Sequence, residues 1–278
     1  MNYRHIYHAG NFADVAKHVG LTYCIGALRR KDTAFFVLDS HAGRGYYDLQ
    51  AAEAQKSGEA ERGIQRLIET SIGTAQLASY FAAIRARRGK RLARYPGSPA
   101  LIAGGLRPQD RALFVELMPA EARAAEREID SSGRVRVEIS DGYAALKAFL
   151  PPDERRGLVL IDPPYEQPDE FERLALALTA AHRKWPTGIY ALWYPIKNLR
   201  ETAAFARRIA ASGIARVLRA ELTLARADSE RLGGSGLIVV NPPWRLEQEL
   251  SVLMPALAQA LGAAPAGATR LDWLVPPI

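Results

Sequence analysis

One cysteine, Cys24, stands among 278 residues, so neither a disulfide framework nor a cysteine-based zinc site can be built, and a reducing cytoplasm suits the chain. No uncharged apolar run approaches the roughly 20 residues that span a bilayer, and the opening Met1-Asn2-Tyr3-Arg4-His5 is polar. Neither a membrane helix nor a signal peptide is expected. The G-x-G-x-x-G fingerprint of dinucleotide-binding folds is missing, which argues against a nicotinamide oxidoreductase. Internal repeats and low-complexity segments are missing too. What remains is 48% apolar and 24% charged, with a net charge of +7. That is the composition of a globular protein long enough for one large α/β domain carrying an insertion. The basic excess is a weak pointer to polyanions, since many basic proteins bind none. Its distribution says more: Arg85, Arg87, Arg88, Lys90, Arg91 and Arg94 follow one another with no acid among them. Arg85, Arg88 and Arg91 are candidate contacts to nucleic-acid phosphates. The competing reading is a solvated helix end and loop.

Seven short apolar runs read as buried strands, at 34–39, 112–117, 135–139, 158–162, 189–194, 215–224 and 236–241. Helical spacing at 21–30, 119–129, 143–150, 171–183, 199–211 and 246–261 separates most of them. Such alternation predicts a parallel, doubly wound sheet. The stretch 48–108 is too long for a loop, and its periodic pieces at 63–72, 77–88 and 99–106 predict a small helical insertion. The link 225–235 has no helical pattern, so the last strand is expected to return as a hairpin, antiparallel to its neighbours. The run 263–268 reads as a flexible loop before a closing segment, 271–275.

Leu158-Val159-Leu160-Ile161-Asp162-Pro163-Pro164-Tyr165 carries the chemistry. A buried strand ends in an acid, two prolines and an aromatic. The prolines fix φ and donate no hydrogen bond. The Asp162 carboxylate and the Pro163 carbonyl can therefore face one small donor group as a pair of acceptors. An adenine amino group has two N–H donors. Two acceptors would bind both, favour a pyramidal nitrogen and stabilise the positive charge that grows as nitrogen attacks a methyl. Tyr165 offers a flat face on which a base taken out of its helix can stack. The bland alternative is a strand followed by a proline turn. Asn241-Pro242-Pro243-Trp244 has the same shape. Ligands of open α/β sheets bind beyond the carboxyl ends of the parallel strands. An antiparallel last strand puts Asn241 at the other edge, so that turn reads as structural.

Four strands in succession are followed by an acid: Asp39, Glu116, Asp141 and Asp162. Carboxylates along one sheet edge suit a cofactor with a ribose, an adenine and a cationic sulfonium, namely S-adenosylmethionine. They suit a phosphate-rich cofactor poorly. Glu116 would take ribose hydroxyls. Asp141 either caps the following helix or accepts from the cofactor's adenine. His41, in the turn Asp39-Ser40-His41-Ala42-Gly43-Arg44-Gly45, sits where it could touch a cofactor. At the N-terminus, His5, His8, Asp14 and His18 have spacing that allows a metal, but Arg4 and Lys17 would crowd it with positive charge. No metal is expected, and the segment reads instead as a clamp on cofactor and target base.

With these residues the sequence resembles the RlmJ family, methyltransferases that modify an adenine N6 of 23S ribosomal RNA. The resemblance covers nearly the whole chain. It rests on Tyr3-Arg4-His5, His8-Ala9-Gly10-Asn11, Ala13-Asp14-Val15, Lys17-His18, Asp39-Ser40-His41-Ala42-Gly43, Tyr95-Pro96-Gly97-Ser98-Pro99, Asp162-Pro163-Pro164-Tyr165-Glu166, Tyr190-Ala191-Leu192-Trp193-Tyr194-Pro195 and Asn241-Pro242-Pro243-Trp244. It implies a Rossmann-like class I methyltransferase fold spanning 1–278 with the insertion at 48–108. It further implies His18, His41, Ser98, Glu116, Asp141, Gly142 and Asp162 at the cofactor, Asp162 as the catalytic position, and Tyr3 on the RNA, with Arg4 beside it. Arg44 stands where a smaller residue is expected, and is read as reaching either a phosphate or solvent. The expectation is a cytoplasmic monomer with no obligate protein partner, acting on 23S rRNA. A DNA adenine methyltransferase, an rRNA guanine-N2 methyltransferase and a non-catalytic RNA-binding protein on the same scaffold are the competing readings.

Overall fold

The computed structural model describes residues 4–70, 75–85, 90–129, 133–225, 232–262 and 269–277. In chain order its strands are β1 (Phe36–Asp39), β2 (Tyr46–Asp48), β3 (Arg94–Pro96), β4 (Arg111–Glu116), β5 (Val135–Ile139), β6 (Gly157–Ile161), β7 (Ile189–Ile196), β8 (Val217–Thr223), β9 (Gly234–Val240) and β10 (Thr269–Val275). The helices are α1 (Phe12–Arg29), α2 (Ala52–Ser57), α3 (Arg66–Glu69), α4 (Ala75–Ala83), α5 (Ser98–Gly105), α6 (Pro119–Glu128), α7 (Gly142–Phe149), α8 (Glu170–Lys184), α9 (Leu199–Ala210) and α10 (Leu246–Leu261).

The main sheet has the order β10-β8-β9-β7-β6-β1-β4-β5. Strands β7, β6, β1, β4 and β5 are parallel neighbours, while β9 runs antiparallel to β7 and β8. The returning strand is therefore the one the hairpin reading predicts. All seven expected strands are present, and an eighth, β10, extends the sheet as an antiparallel edge on β8. Its half-exposed residues give only a faint alternation. Its docking depends on an ion pair that sequence cannot foresee: buried Arg219 of β8 donates to Asp272 from Nε at 2.8 Å and Nη2 at 2.6 Å.

Parallel strands covered on both faces read as continuous apolar runs, and their alternate residues divide the core. Val37, Leu158 and Leu160 pack on one face with α1, α5 and α10; Leu38, Val159 and Ile161 pack on the other with α7, α8 and α9.

Two differences from the sequence reading bear on function. Helix α1 begins at Phe12, nine residues before the periodic stretch at 21. Asn11 caps it, its side chain accepting from Asp14 N at 2.9 Å. Asp14, Lys17 and His18 interrupt the apolar pattern, yet all three are buried. The expected helix at 63–72 divides into a π turn, Glu61–Gln65, and α3, because Gly63 is non-helical (φ −104°, ψ −108°). A Cβ there would lie 2.1 Å from the Gly10 carbonyl. Ile64 N donates to that same carbonyl at 2.8 Å, so the turn clips onto the N-terminal segment. Between β1 and β4 the chain also forms a two-stranded sheet, β2 with β3. Helix α5 packs on α1 rather than standing apart.

Candidate active site

Asp162 is the first residue beyond β6, at the carboxyl edge of the parallel strands. Its Oδ2 accepts from Lys17 Nζ at 2.5 Å. Lys17 is only 5% exposed and also pairs with Asp14 Oδ1 at 2.9 Å. Asp14 Oδ2 in turn meets His5 Nε2 at 2.9 Å and accepts from Gly10 N at 3.0 Å. Burial works against both charges. Even so, the positive charges of His5 and Lys17 hold the Asp14 carboxyl well below its usual value, and the carboxylates of Asp14 and Asp162 hold the Lys17 ammonium above its own. The result is a buried relay, His5–Asp14–Lys17–Asp162, joining the N-terminal segment to the end of β6.

This relay forms part of a wall between two cavities. The first, of about 680 Å³, is lined by the 40–44 turn, Glu116, Asp141, Gly142, His18 and Ser98. Glu116 follows from β4: its Oε2 accepts from Gly43 N at 2.8 Å and its Oε1 from Met118 N at 2.7 Å, which fixes the carboxylate beneath the turn. Burial raises its pKa. Asp141 caps α7 by accepting from Ala144 N at 2.8 Å while also lining the cavity, so its two readings coexist. Gly142 is obligatory, since a Cβ would lie 2.1 Å from Ser40 O and 2.7 Å from the His41 ring. His41 Nδ1 pairs with Ser40 Oγ at 2.8 Å, and burial pushes its pKa down to about 4. His18 Nδ1 pairs with Tyr95 Oη at 2.8 Å, and burial lowers it to about 3, leaving a neutral imidazole. Its Nε2 has no hydrogen-bond partner among the described residues although it is buried. An orphaned ring nitrogen, a glycine cradle and several carboxylates in the cavity lining fit an uncharged-to-cationic nucleoside cofactor.

The acid series needs one correction. Asp39 is 0% exposed and does not line the cavity. Burial, reinforced by the Asp162 charge, pushes its carboxyl up to about 7. Three of the four acids thus face the cofactor cavity, and Asp39 belongs to the core beneath it.

The second cavity, of about 650 Å³, shares His5, Lys17, Asp162, Pro163 and Pro164 with the first, and Tyr165 lines it alone of the two. Tyr165 takes φ +53°. Its ring is fixed by an Oη bond to Trp193 O at 2.7 Å and an edge contact with the Trp193 ring at 5.6 Å between centroids. Asp162 and Pro163 stand at the boundary and line both cavities, whereas Tyr165 lines only the second.

Asn241 does not compete for this place. Its Nδ2 donates to Pro186 O at 2.8 Å and Gly188 O at 2.9 Å, and Trp244 is 79% exposed. Arg44, read from the sequence as reaching either a phosphate or solvent, has a side chain 36% exposed. It lines the first cavity as a fork on Glu121, at 2.8 Å and 2.7 Å. Arg4 lines the same cavity and pairs with Glu53 at 2.8 Å. Arg85 and Arg91 line neither cavity, and Arg91 closes on Glu61. Tyr3, Arg87, Arg88 and the run 263–268 lie outside the described residues. Lys17 is the residue that sequence reasoning passed over, as no more than an obstacle to a metal. Its signal was an acid and a lysine at i, i+3 inside an apolar helix, a pair that burial makes costly unless a third charge completes it.

A family model described as RsmJ: Ribosomal RNA large subunit methyltransferase D, RlmJ, matches residues 32–275. Two curated relatives, each called Ribosomal RNA large subunit methyltransferase J, are 39% identical to this chain. The Haemophilus influenzae protein aligns over 280 residues and the Escherichia coli protein over 279, each alignment covering 99% of both chains. A crystal structure of a Legionella pneumophila protein superposes with a TM-score of 0.86 at 34% identity, covering 95% of this chain and 97% of the other.

Proposed function

Since the chain belongs to the RlmJ family of ribosomal RNA large subunit methyltransferases, we propose that it methylates the exocyclic N6 of one adenine in 23S rRNA, with the base turned out of its helix. The protein is an S-adenosylmethionine-dependent methyltransferase of the Rossmann-like class I fold. The observation that carries the finer reading is the position of Asp162 and Pro163 in the wall shared by two cavities, one rimmed by carboxylates and the other by Tyr165.

Glu116, Asp141, Gly142, His18, His41 and Ser98 hold the cofactor in the first cavity. When bound, it supplies a sulfonium methyl open to displacement by a nitrogen lone pair. The second cavity takes the adenine, stacked on Tyr165. Lys17 occupies Asp162 Oδ2, and Oδ1 has no hydrogen bond among the described residues. Oδ1 and the Pro163 carbonyl accept the two amino hydrogens and stabilise the charge that grows on N6. No strong base is needed, because the methylated nitrogen is acidic until it loses its proton. Positioning supplies much of the remaining acceleration. Arg4, Arg85 and Arg91, with Tyr3 and Arg88, act as outer contacts to the RNA. No described helix is long and apolar enough to cross a membrane, and we read the chain as a cytoplasmic monomer, one methyltransferase domain over 1–278 with 48–108 inserted.

Radiolabelled methyl transfer to deproteinised 23S rRNA and to duplex DNA, with the product nucleoside identified by mass spectrometry, tests this reading. The expected product is N6-methyladenosine in RNA. A labelled guanosine, or label in DNA only, overturns it.

A further inference from the structure

The geometry points to a phosphate-binding rim at the mouth of the second cavity, formed by Arg62 and Lys197, which grips the RNA backbone on either side of the nucleotide that enters. The rim rests on the reading of this cavity as the site of the target base. The lining of the cavity is graded by depth. Asn11, Asp14 and Lys17 are buried, whereas Arg62 and Lys197 are exposed. The charges lower down are spent on one another: Lys17 on Asp14 and Asp162, and Glu59 on His8 at 3.1 Å and Asn11 at 2.9 Å.

The cations at the mouth are less fully compensated, Arg62 acting on the Glu59 carboxylate only at a distance. Among the described residues neither Arg62 nor Lys197 makes an ion pair. Arg62 Nη2 donates only to the Ser57 carbonyl at 3.0 Å, a bond that directs the guanidinium without neutralising it. Some arginines elsewhere on the surface are held by acids, as Arg91 is by Glu61, Arg94 by Glu128 and Arg111 by Glu154 at 2.6 Å; what distinguishes Arg62 and Lys197 is their place at the mouth of the cavity. A nucleotide turned into the cavity puts its base against Asp162 and leaves its two phosphates at the mouth. There, cations with no ion pair among the described residues gain charge-assisted hydrogen bonds. The two residues come from separate elements, the π turn and the loop after β7, so a strand passing between them would be held from both.

The test compares the wild-type chain with R62E/K197E in binding deproteinised 23S rRNA over a series of salt concentrations. Two lost phosphate contacts should weaken binding about tenfold or more and flatten the salt slope by about 1.4, at about 0.7 per phosphate of single strand. R62K/K197R should keep the wild-type slope. Cofactor affinity and melting temperature should match the wild type, which excludes misfolding as the cause. An R62E/K197E protein with the wild-type slope overturns the rim. The two readings fail separately: methyl transfer to RNA with an unchanged slope removes only the rim, whereas a flattened slope with no transfer by the wild type removes only the assigned reaction.

Discussion

Asp162 is asked to be both a partner and an acceptor. One oxygen is taken by Lys17 at 2.5 Å, and the residue lines both cavities. Asp162→Ala should therefore nearly abolish turnover while weakening cofactor binding only modestly; near wild-type transfer would remove Asp162 from the reaction. Lys17→Ala leaves two carboxylates facing one another where the lysine was 5% exposed. Breaking a buried pair in this way costs about 3–5 kcal/mol, so a large fall in melting temperature is expected, and an unchanged one would show that the relay is not structural. Glu116→Ala should raise the cofactor dissociation constant in calorimetry, since that carboxylate lines the cavity and also braces the Gly43 and Met118 amides. Unchanged affinity would take Glu116 off the cofactor. The acidic and aromatic members of this site were legible in the sequence because each stands at the end of an apolar run. Lys17 was not, because its meaning lies in a partner 145 residues away.

At the scale of elements, strand ends place the chemistry and a helix start completes it. The strands were legible because parallel strands buried on both faces leave unbroken apolar runs. The first turns of α1 were not, because their buried positions are filled by Asp14, Lys17 and His18. Only their mutual pairing and contacts with Tyr95 and Asp162 make such burial tolerable. Gly63 couples the inserted segment to this helix start. Gly63→Ala would drive a methyl into the Gly10 carbonyl, displacing the segment that carries His5 and Arg4. The expected result is loss of both cofactor affinity and methyl transfer, with far-ultraviolet circular dichroism retained. Full activity would show that the clip at Gly10 is dispensable.

For the whole molecule, stability should fall on mild acidification. His18 and His41 are held to about 3 and about 4 in the fold, below the ordinary 6.5. Between pH 6.5 and 4 the unfolded chain binds protons that the native chain refuses, so stability drops as pH falls through that window. Asp39, raised from 3.8 to about 7, acts in the opposite direction: its contribution is complete below its unfolded value and is lost as pH rises through 7. Two imidazoles outweigh one carboxyl, so the melting temperature should decline from pH 6.5 toward 4.5, and less steeply in a His41→Gln variant. A flat or rising profile would contradict the burial of these rings.

The amino-acid sequence by itself determined the doubly wound sheet, its antiparallel return and the acids at its strand ends, because these follow from local period, chain direction and turn chemistry. Only the tertiary structure decided which acids face a cavity, that Asp39 does not, that Lys17 completes Asp162, and that β10 closes the edge. Each of these depends on the desolvation of a charge and on the distant partner that compensates it, and neither quantity is a property of any short stretch of chain.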